Sequence, residues 1–451
     1  MKPSPFAVSR RSLMLMTAAG AALGACSAPS GEPRSPAATP TSASEHLNDP
    51  FHRDALQADL AAYDGFGVHR TGSAADLATA DWLEARFQAH GFSTERQAFT
   101  APDHDAIEAR IIFGEDALGL IAQPPFRRDG ENRVSAPLVY AGPAGPDGPL
   151  AGAIVVADTP HARHSESLGW AVRPIVEQCL AQGAAALIIV TNGPSRDAAV
   201  LNINLDNTYP LMAIAAPGEA AGLIAAAREG LDAQLDTPPQ RPAREAVNVI
   251  GRIARPGRPH IVVSTPYSGW THCAGERGPG VAAMLAFAAW LPAATTDHSI
   301  TLFCASGHEL DAYGGRLWLA DGAPPPQDTA LWVHLGAGWA ARDWHETPRR
   351  LLPMQSSDAQ RYLMASAPVL ETVRTAFADI PGLAQTYPLT VETAAGELKH
   401  IAEYGYQPAI GAFAAHRLHH VMSDRMNAVS GALVEPPSRA FQKAVAQVLG
   451  L

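Results

Sequence analysis

Apolar residues recur with helical spacing over 54–63 and 74–90, and in the second segment Leu77, Ala80, Leu83 and Phe87 fall on one face. Gly91-Phe92 ends that segment as a glycine C-cap. Between the two segments, Gly65-Phe66-Gly67-Val68-His69-Arg70-Thr71-Gly72-Ser73 reads as a loop. From Pro124 to Pro242 the texture changes. Short apolar runs at 138–142 and 152–158 predict strands, 175–182 a helix, and 183–190 a buried strand. Pro238-Pro239-Gln240-Arg241-Pro242 marks an exit linker. Beyond Val247, strands at 247–251, 260–264, 299–305, 331–335 and 409–414 alternate with helices at 281–291, 359–377 and 436–451. That alternation predicts an α/β fold, a mixed sheet with helices on both faces. Its chemistry belongs on loops at the carboxyl ends of strands.

The first residues stand apart from this pattern. Ser9-Arg10-Arg11-Ser12-Leu13-Met14 reads as a twin-arginine export signal, and the apolar run over 13–25 is too short to span a bilayer. Leu23-Gly24-Ala25-Cys26 resembles a lipoprotein cleavage box, with Cys26 as the lipidation site. Residues 1–26 are therefore expected to be a twin-arginine lipoprotein signal. The Ser/Pro/Ala-rich stretch 27–45 is expected to be a flexible tether. The expected location is the periplasm or outer envelope, with the membrane reached only through a lipid anchor. Ordinary cleavage nearby, giving a soluble periplasmic product, is the alternative. A net charge of −11 argues against nucleic acid, whose phosphates need a basic face. Three cysteines remain beyond Cys26, namely Cys179, Cys273 and Cys304, and an odd number cannot all pair.

The order of elements resembles the co-catalytic zinc aminopeptidase family, which also holds glutaminyl cyclases and the non-catalytic transferrin receptor. The segment over 66–73, the following helix with Gly91-Phe92, and Asn248-Val249-Ile250-Gly251 carry the resemblance. Residues 46–123 and 246–451 would form the aminopeptidase-like domain. Residues 124–245 fall where that family often carries a protease-associated domain, a small β-rich insert. The family's metal residues are largely substituted. Its His-x-Asp pair reads Pro266 and Ser268 here, and proline has no donor atom in its side chain. Its bridging aspartate reads Glu276, followed directly by Arg277. Its Glu-Glu pair reads His308 and Glu309, the next acidic ligand falls near His334, and the last histidine matches His419 or His420. His420 is favoured, because Asp424 then stands where the family has its trailing aspartate.

Three readings follow from that resemblance. In the first, Glu276, Glu309 and His420 hold at most one Zn²⁺, with His334 as a substitute ligand. His308 then moves the proton, and Arg277 binds a substrate carboxylate. Ser268, Trp270, His272 and His400 would contact a peptide or amide substrate. The second is a metal-free hydrolase drawing on Ser264, Ser268, His272, His308 and Glu276, for which no Gly-x-Ser-x-Gly elbow is present. The third is an inactive binding module in which Arg277 neutralises Glu276 and Glu309 in a buried ion-pair network.

Overall fold

The computed structural model describes residues 49–451 except 106, 125–131, 203–210, 240 and 349. The expected signal, tether and lipidated Cys26 lie outside the described residues. Helices α1 (Arg53–Phe66) and α2 (Ala74–Ala89) come first, then strand β1 (Ser93–Ala101). Eight strands follow: β2 (Glu108–Phe113), β3 (Asp116–Ala122), β4 (Arg133–Gly142), β5 (Gly145–Pro146), β6 (Ile154–Asp158), β7 (Ala186–Val190), β8 (Leu211–Ala215) and β9 (Asp232–Asp236). Helix α3 (Ser165–Gln182) joins β6 to β7, and α4 (Ala221–Glu229) joins β8 to β9. The chain continues with β10 (Arg244–Ile253), β11 (His260–Pro266), α5 (Gly278–Ala294), β12 (Ser299–Ala305), α6 (Tyr313–Asp321) and β13 (Thr329–Leu335). A hairpin of β14 (Arg342–Glu346) and β15 (Leu351–Ser357) leads to β16 (Arg361–Ala365), α7 (Leu370–Ala376), β17 (Thr386–Pro388) and α8 (Glu397–Glu403). Strand β18 (Ala409–Ala414) and α9 (Gly431–Leu449) close the fold.

The main sheet runs β1-β10-β12-β11-β13-β18-β16-β17. Its centre, β12-β11-β13-β18, is parallel, and β10 and β16 flank it antiparallel. The central strands are buried on both faces, which explains their near-continuous apolar sequences. Ile261 and Val263 point into one core with α1, α2, α5 and α9; Val262 joins Trp318, Trp332, Leu398 and Ile401 in the other, under α6 and α8. The sheet is therefore mixed, with helices on both faces, as the pattern predicted.

The second sheet runs β5-β4-β6-β7-β8-β3-β2-β9, and β9 also pairs with β4, so it closes on itself. It includes β2 and β3, which places its start before the expected boundary at 124. Ile111 and Phe113 of β2 and Leu120 of β3 pack into the core of this second sheet. The expected helix over 359–377 is also corrected. Residues 361–365 pair antiparallel with β18, and only 370–376 form a regular α-helix. Residues 367–369, with Pro368 in their first turn, form a short 3-10 helix between the two.

The loop over 67–73 is buried and fixed. His69 stacks on Tyr63 with ring centroids 3.9 Å apart, and its Nδ1 lies 3.0 Å from the His272 carbonyl oxygen. Burial pushes its pKa down to about 3, beyond what that carbonyl contact restores. The unfolded value is higher, so the unfolded chain takes up this proton first as pH falls. His69 thus weakens the fold progressively from about pH 6.5 down to about pH 3. By pH 4.5 the expected loss through His69 is about 3 kcal/mol. Urea unfolding at pH 7 and pH 4.5 checks it: a His69→Phe variant, which keeps the stacking, should lose about that much less stability across the interval than the parent chain.

Candidate active site

Four loops follow the carboxyl ends of β11, β12, β13 and β18, and all the residues singled out in the sequence for catalysis or metal binding stand on them or beside them. Helix α5 starts against this edge. A Cβ on Gly280 would strike Thr265 Oγ1 and come within 2.8 Å of the Leu335 carbonyl, so glycine is what lets the helix begin there. Glu276 and Arg277 precede it and are completely buried. Asp424 holds their backbone in place: it accepts from the Gly275 N–H at 2.8 Å and the Glu276 N–H at 3.1 Å.

Arg277 Nη2 lies 2.7 Å from Glu276 Oε1, and Arg277 Nε donates to the Ser268 carbonyl at 2.9 Å. Burial opposes ionisation of Glu276, but Arg277, His419 and His420 outweigh it and hold the carboxyl well below its usual range. The pair is therefore ionised. Arg277 is sealed in as a counter-ion and is not presented to a substrate, which corrects its expected role. Glu309 is occupied in another way. Thr71 donates to its Oε1 through N–H at 2.8 Å and through O–H at 2.7 Å, while Ser268 O–H donates to its Oε2 at 2.7 Å.

The family's zinc does not fit these residues. Proline stands at one ligand position, a guanidinium faces Glu276, and both oxygens of Glu309 are engaged. Glu276, Glu309 and His420 do not form a ligand cluster. Among the described residues, the group of three or more His, Cys, Asp or Glu whose ligand atoms all lie within 4.8 Å of one another is Glu166, His419 and His420.

Three of the four expected substrate contacts serve the fold instead. Ser268 is fully buried, and besides donating to Glu309 its Oγ accepts from the N–H groups of Gly307 at 2.8 Å and His308 at 3.3 Å. Trp270 is buried and donates to Asn202 Oδ1 at 2.7 Å. His272 faces Asp64, with Nδ1 3.9 Å from its Oδ1. His400 lies not in a loop but in α8, where its Nδ1 stands 3.0 Å from Glu403 Oε2. Cys273 is buried, and burial together with Glu276 raises its thiol well above the usual range, so it is no nucleophile.

The structure instead brings together His308, Glu397, His334 and Ser264. Trp332 Nε1–H donates to Ser264 Oγ at 2.8 Å, and Ser264 Oγ lies 3.0 Å from His334 Nδ1. An indole N–H can only donate, so Ser264 Oγ is the acceptor in that contact and keeps both a proton and a second lone pair for His334 Nδ1. Burial lowers the His334 pKa to about 4 despite the nearby Glu397, so its ring is neutral. Its Nε2 stands 3.5 Å from Glu397 Oε2. His308 Nδ1 faces the other oxygen, Oε1, at 3.3 Å. Burial would raise the Glu397 pKa, but His308, His334 and Arg277 hold it down to about 2. The carboxylate is thus ionised and faces both rings at ion-pair distance. His308 Nδ1 is buried while the ring as a whole is 19% exposed, so its exposed part lies away from Glu397.

Ser264, His334 and Glu397 stand in the order of a hydrolytic triad, but size decides against a serine nucleophile. The cavity beside Ser264, lined also by Phe303, Trp332 and Ile401, has a volume of about 20 Å³. That holds about one water molecule and no acyl group. The larger open groove of about 840 Å³, lined by Arg110, Gly119, Ile121 and Glu219, belongs to the second sheet and holds none of these groups.

No protein-family model matches the chain, and no curated protein does. Solved structures do match. A zinc aminopeptidase from Bacillus subtilis superposes with a TM-score of 0.67 at 16% identity, over 88% of this chain and 95% of that one. A peptidase M28 precursor from Shewanella amazonensis gives 0.63 at 16% identity, over 90% and 93%. An aminopeptidase from Aneurinibacillus sp. strain AM-1 gives 0.61 at 17%, over 90% and 96%. The fold is therefore that of the zinc aminopeptidases, as the order of elements implied. The chemistry rests on this chain's own residues.

Neither Glu397 nor Glu166 was named in the sequence as a catalytic or metal-binding group. Nothing local in the sequence distinguishes Glu397 from a surface acid. Glu166 opens α3, far along the chain from the histidines it meets, and no motif announces it.

Proposed function

We propose that the chain is a hydrolase of peptide or amide bonds that works without the paired zinc ions of its structural neighbours. His308 is the general base. Its Nδ1 faces ionised Glu397 at 3.3 Å, which favours the proton on Nδ1 and leaves the lone pair on Nε2 to activate a water. Glu397 and the neutral His334 behind it are positioning groups. They fix the tautomer of His308 and stabilise the imidazolium that forms when it takes a proton. The observation that supports this most is the Ser264–His334–Glu397–His308 row, which sets an ionised carboxylate between two imidazole rings. A panel of aminoacyl anilides, dipeptides and primary amides tests it, using the chelator-treated chain. Turnover of one class, lost in His308→Gln, supports the reading; no turnover of any class supports the alternative of an inactive binding module. The sealed Glu276–Arg277 pair is the observation that favours that alternative.

We read the second sheet as a protease-associated-like domain. We propose further that the protein is exported by the twin-arginine route and acylated at Cys26, facing the periplasm or lying on the outer envelope. Among the described residues no helix is long and apolar enough to cross a membrane. Growth on labelled palmitate should label the parent chain. A Cys26→Ser variant should stay unlabelled and leave the membrane fraction.

A further inference from the structure

The ligand group Glu166, His419 and His420 stands apart from the base just described, and it takes its carboxylate from outside the family's ligand set, since Glu166 belongs to α3 of the second sheet. His419 and His420 follow β18 in the main sheet. The ligand atoms of all three lie within 4.8 Å of one another. Tetrahedral ligands at about 2.0–2.2 Å from one ion stand about 3.4 Å apart, so small side-chain shifts would close this group around a metal.

The histidines are prepared for it. His420 Nδ1 lies 3.0 Å from the Val200 carbonyl, to which an N–H there can only donate, and 3.2 Å from Ser165 Oγ. A neutral His420 therefore carries its proton on Nδ1 and presents Nε2 as a bare lone pair. A hydrogen-bonded Nδ1–H is what orients most metal-bound imidazoles. The backbone of His420 is held at φ 64°, a conformation rare outside glycine, and its carbonyl accepts from the Val200 N–H at 3.1 Å. His419 packs against it with ring centroids 4.2 Å apart and is buried, with Nδ1 unpartnered.

A second carboxylate faces the same nitrogens. Glu276 Oε1 is 3.5 Å from His420 Nε2 and 3.7 Å from His419 Nε2, and neither Glu276 oxygen accepts a hydrogen bond. With both imidazoles neutral, Glu166 and Glu276 against Arg277 leave one negative charge in excess. A divalent cation neutralises it.

We propose that Glu166, His419 and His420 bind one divalent transition-metal ion of the zinc class, which pins α3 to the loop after β18. Two imidazoles and a carboxylate suit zinc and disfavour calcium and magnesium, which take oxygen ligands. A fourth position stays open to water. The ion is not the one that the fold family implies, because its oxygen ligand comes from the second sheet and Glu309 takes no part.

The test is zinc titration of the purified whole chain, stripped by chelator, against a competing chromophoric chelator. The expected result is one zinc per chain, a higher melting temperature with zinc, and no such shift with calcium or magnesium. Glu166→Gln keeps size and removes charge on a half-buried side chain. It should lower zinc affinity by more than the roughly 10–100-fold typical of changes outside the ligand shell, with the melting temperature of the metal-free chain unchanged. Glu309→Gln should leave zinc affinity as it was. No zinc binding, equal binding by Glu166→Gln, or loss in Glu309→Gln instead would each overturn the assignment. The proposed hydrolysis through His308 is measured on the stripped chain, so the two proposals fail separately.

Discussion

Replacing Arg277 by methionine is expected to lower the unfolding free energy by about 3–5 kcal/mol, the usual cost of leaving one member of a buried ion pair alone. Both partners are completely buried, Nη2 stands 2.7 Å from Glu276 Oε1, and water cannot reach either charge. With the guanidinium gone, Glu276 would be left with His419 and His420, and its pKa would rise toward the neutral form. The double variant Glu276→Met/Arg277→Met should recover most of the loss, because two apolar side chains of similar size remove both desolvation costs. Denaturant unfolding of the parent, the two singles and the double gives the coupling energy. A single variant within 1 kcal/mol of the parent would show that the pair is hydrated in solution and not the sealed counter-ion described here.

The second large effect falls on rate. His308→Gln should lower turnover by about 10²–10⁴-fold, the span that a positioned base contributes, with KM little changed. Glutamine keeps a polar group beside Glu397 but cannot take a proton from water. Glu397→Gln should fall in the same direction for a different reason. Its amide nitrogen would meet one of two ring N–H groups donor to donor, so either His308 or His334 must turn over and lose its place in the row. A fall in kcat of similar size in both, with folding intact by circular dichroism, supports one unit of two residues. A change confined to KM would make His308 a binding residue and leave the base unidentified.

The central strands were readable in the sequence because a parallel sheet buried on both faces writes itself as unbroken apolar runs. Residues 260–264, 299–305, 331–335 and 409–414 all lie within observed strands. The loops after them held the ionisable residues, so the edge that carries the site was also readable. Partnerships were not. Glu309 looked like a metal ligand by its position, yet Thr71 and Ser268 fill both its oxygens from 238 and 41 residues away. Arg277 follows Glu276 directly, and only the burial of both made it a sealed ion pair and not a substrate clamp. Edge elements were lost for a related reason: β1 and β16 mix polar and apolar residues and owe their form to pairing with β10 and β18. Helix α8 is only one to two turns long, and its Glu397 gains meaning from two histidines on different strands' loops and ends.

The most direct test of the central claim is hydrolysis of the aminoacyl and amide panel by the chelator-treated chain, parent against His308→Gln. The account predicts turnover that survives metal removal and falls at least about a hundredfold in the variant. Turnover that vanishes with the metal, or that His308→Gln leaves intact, would contradict it.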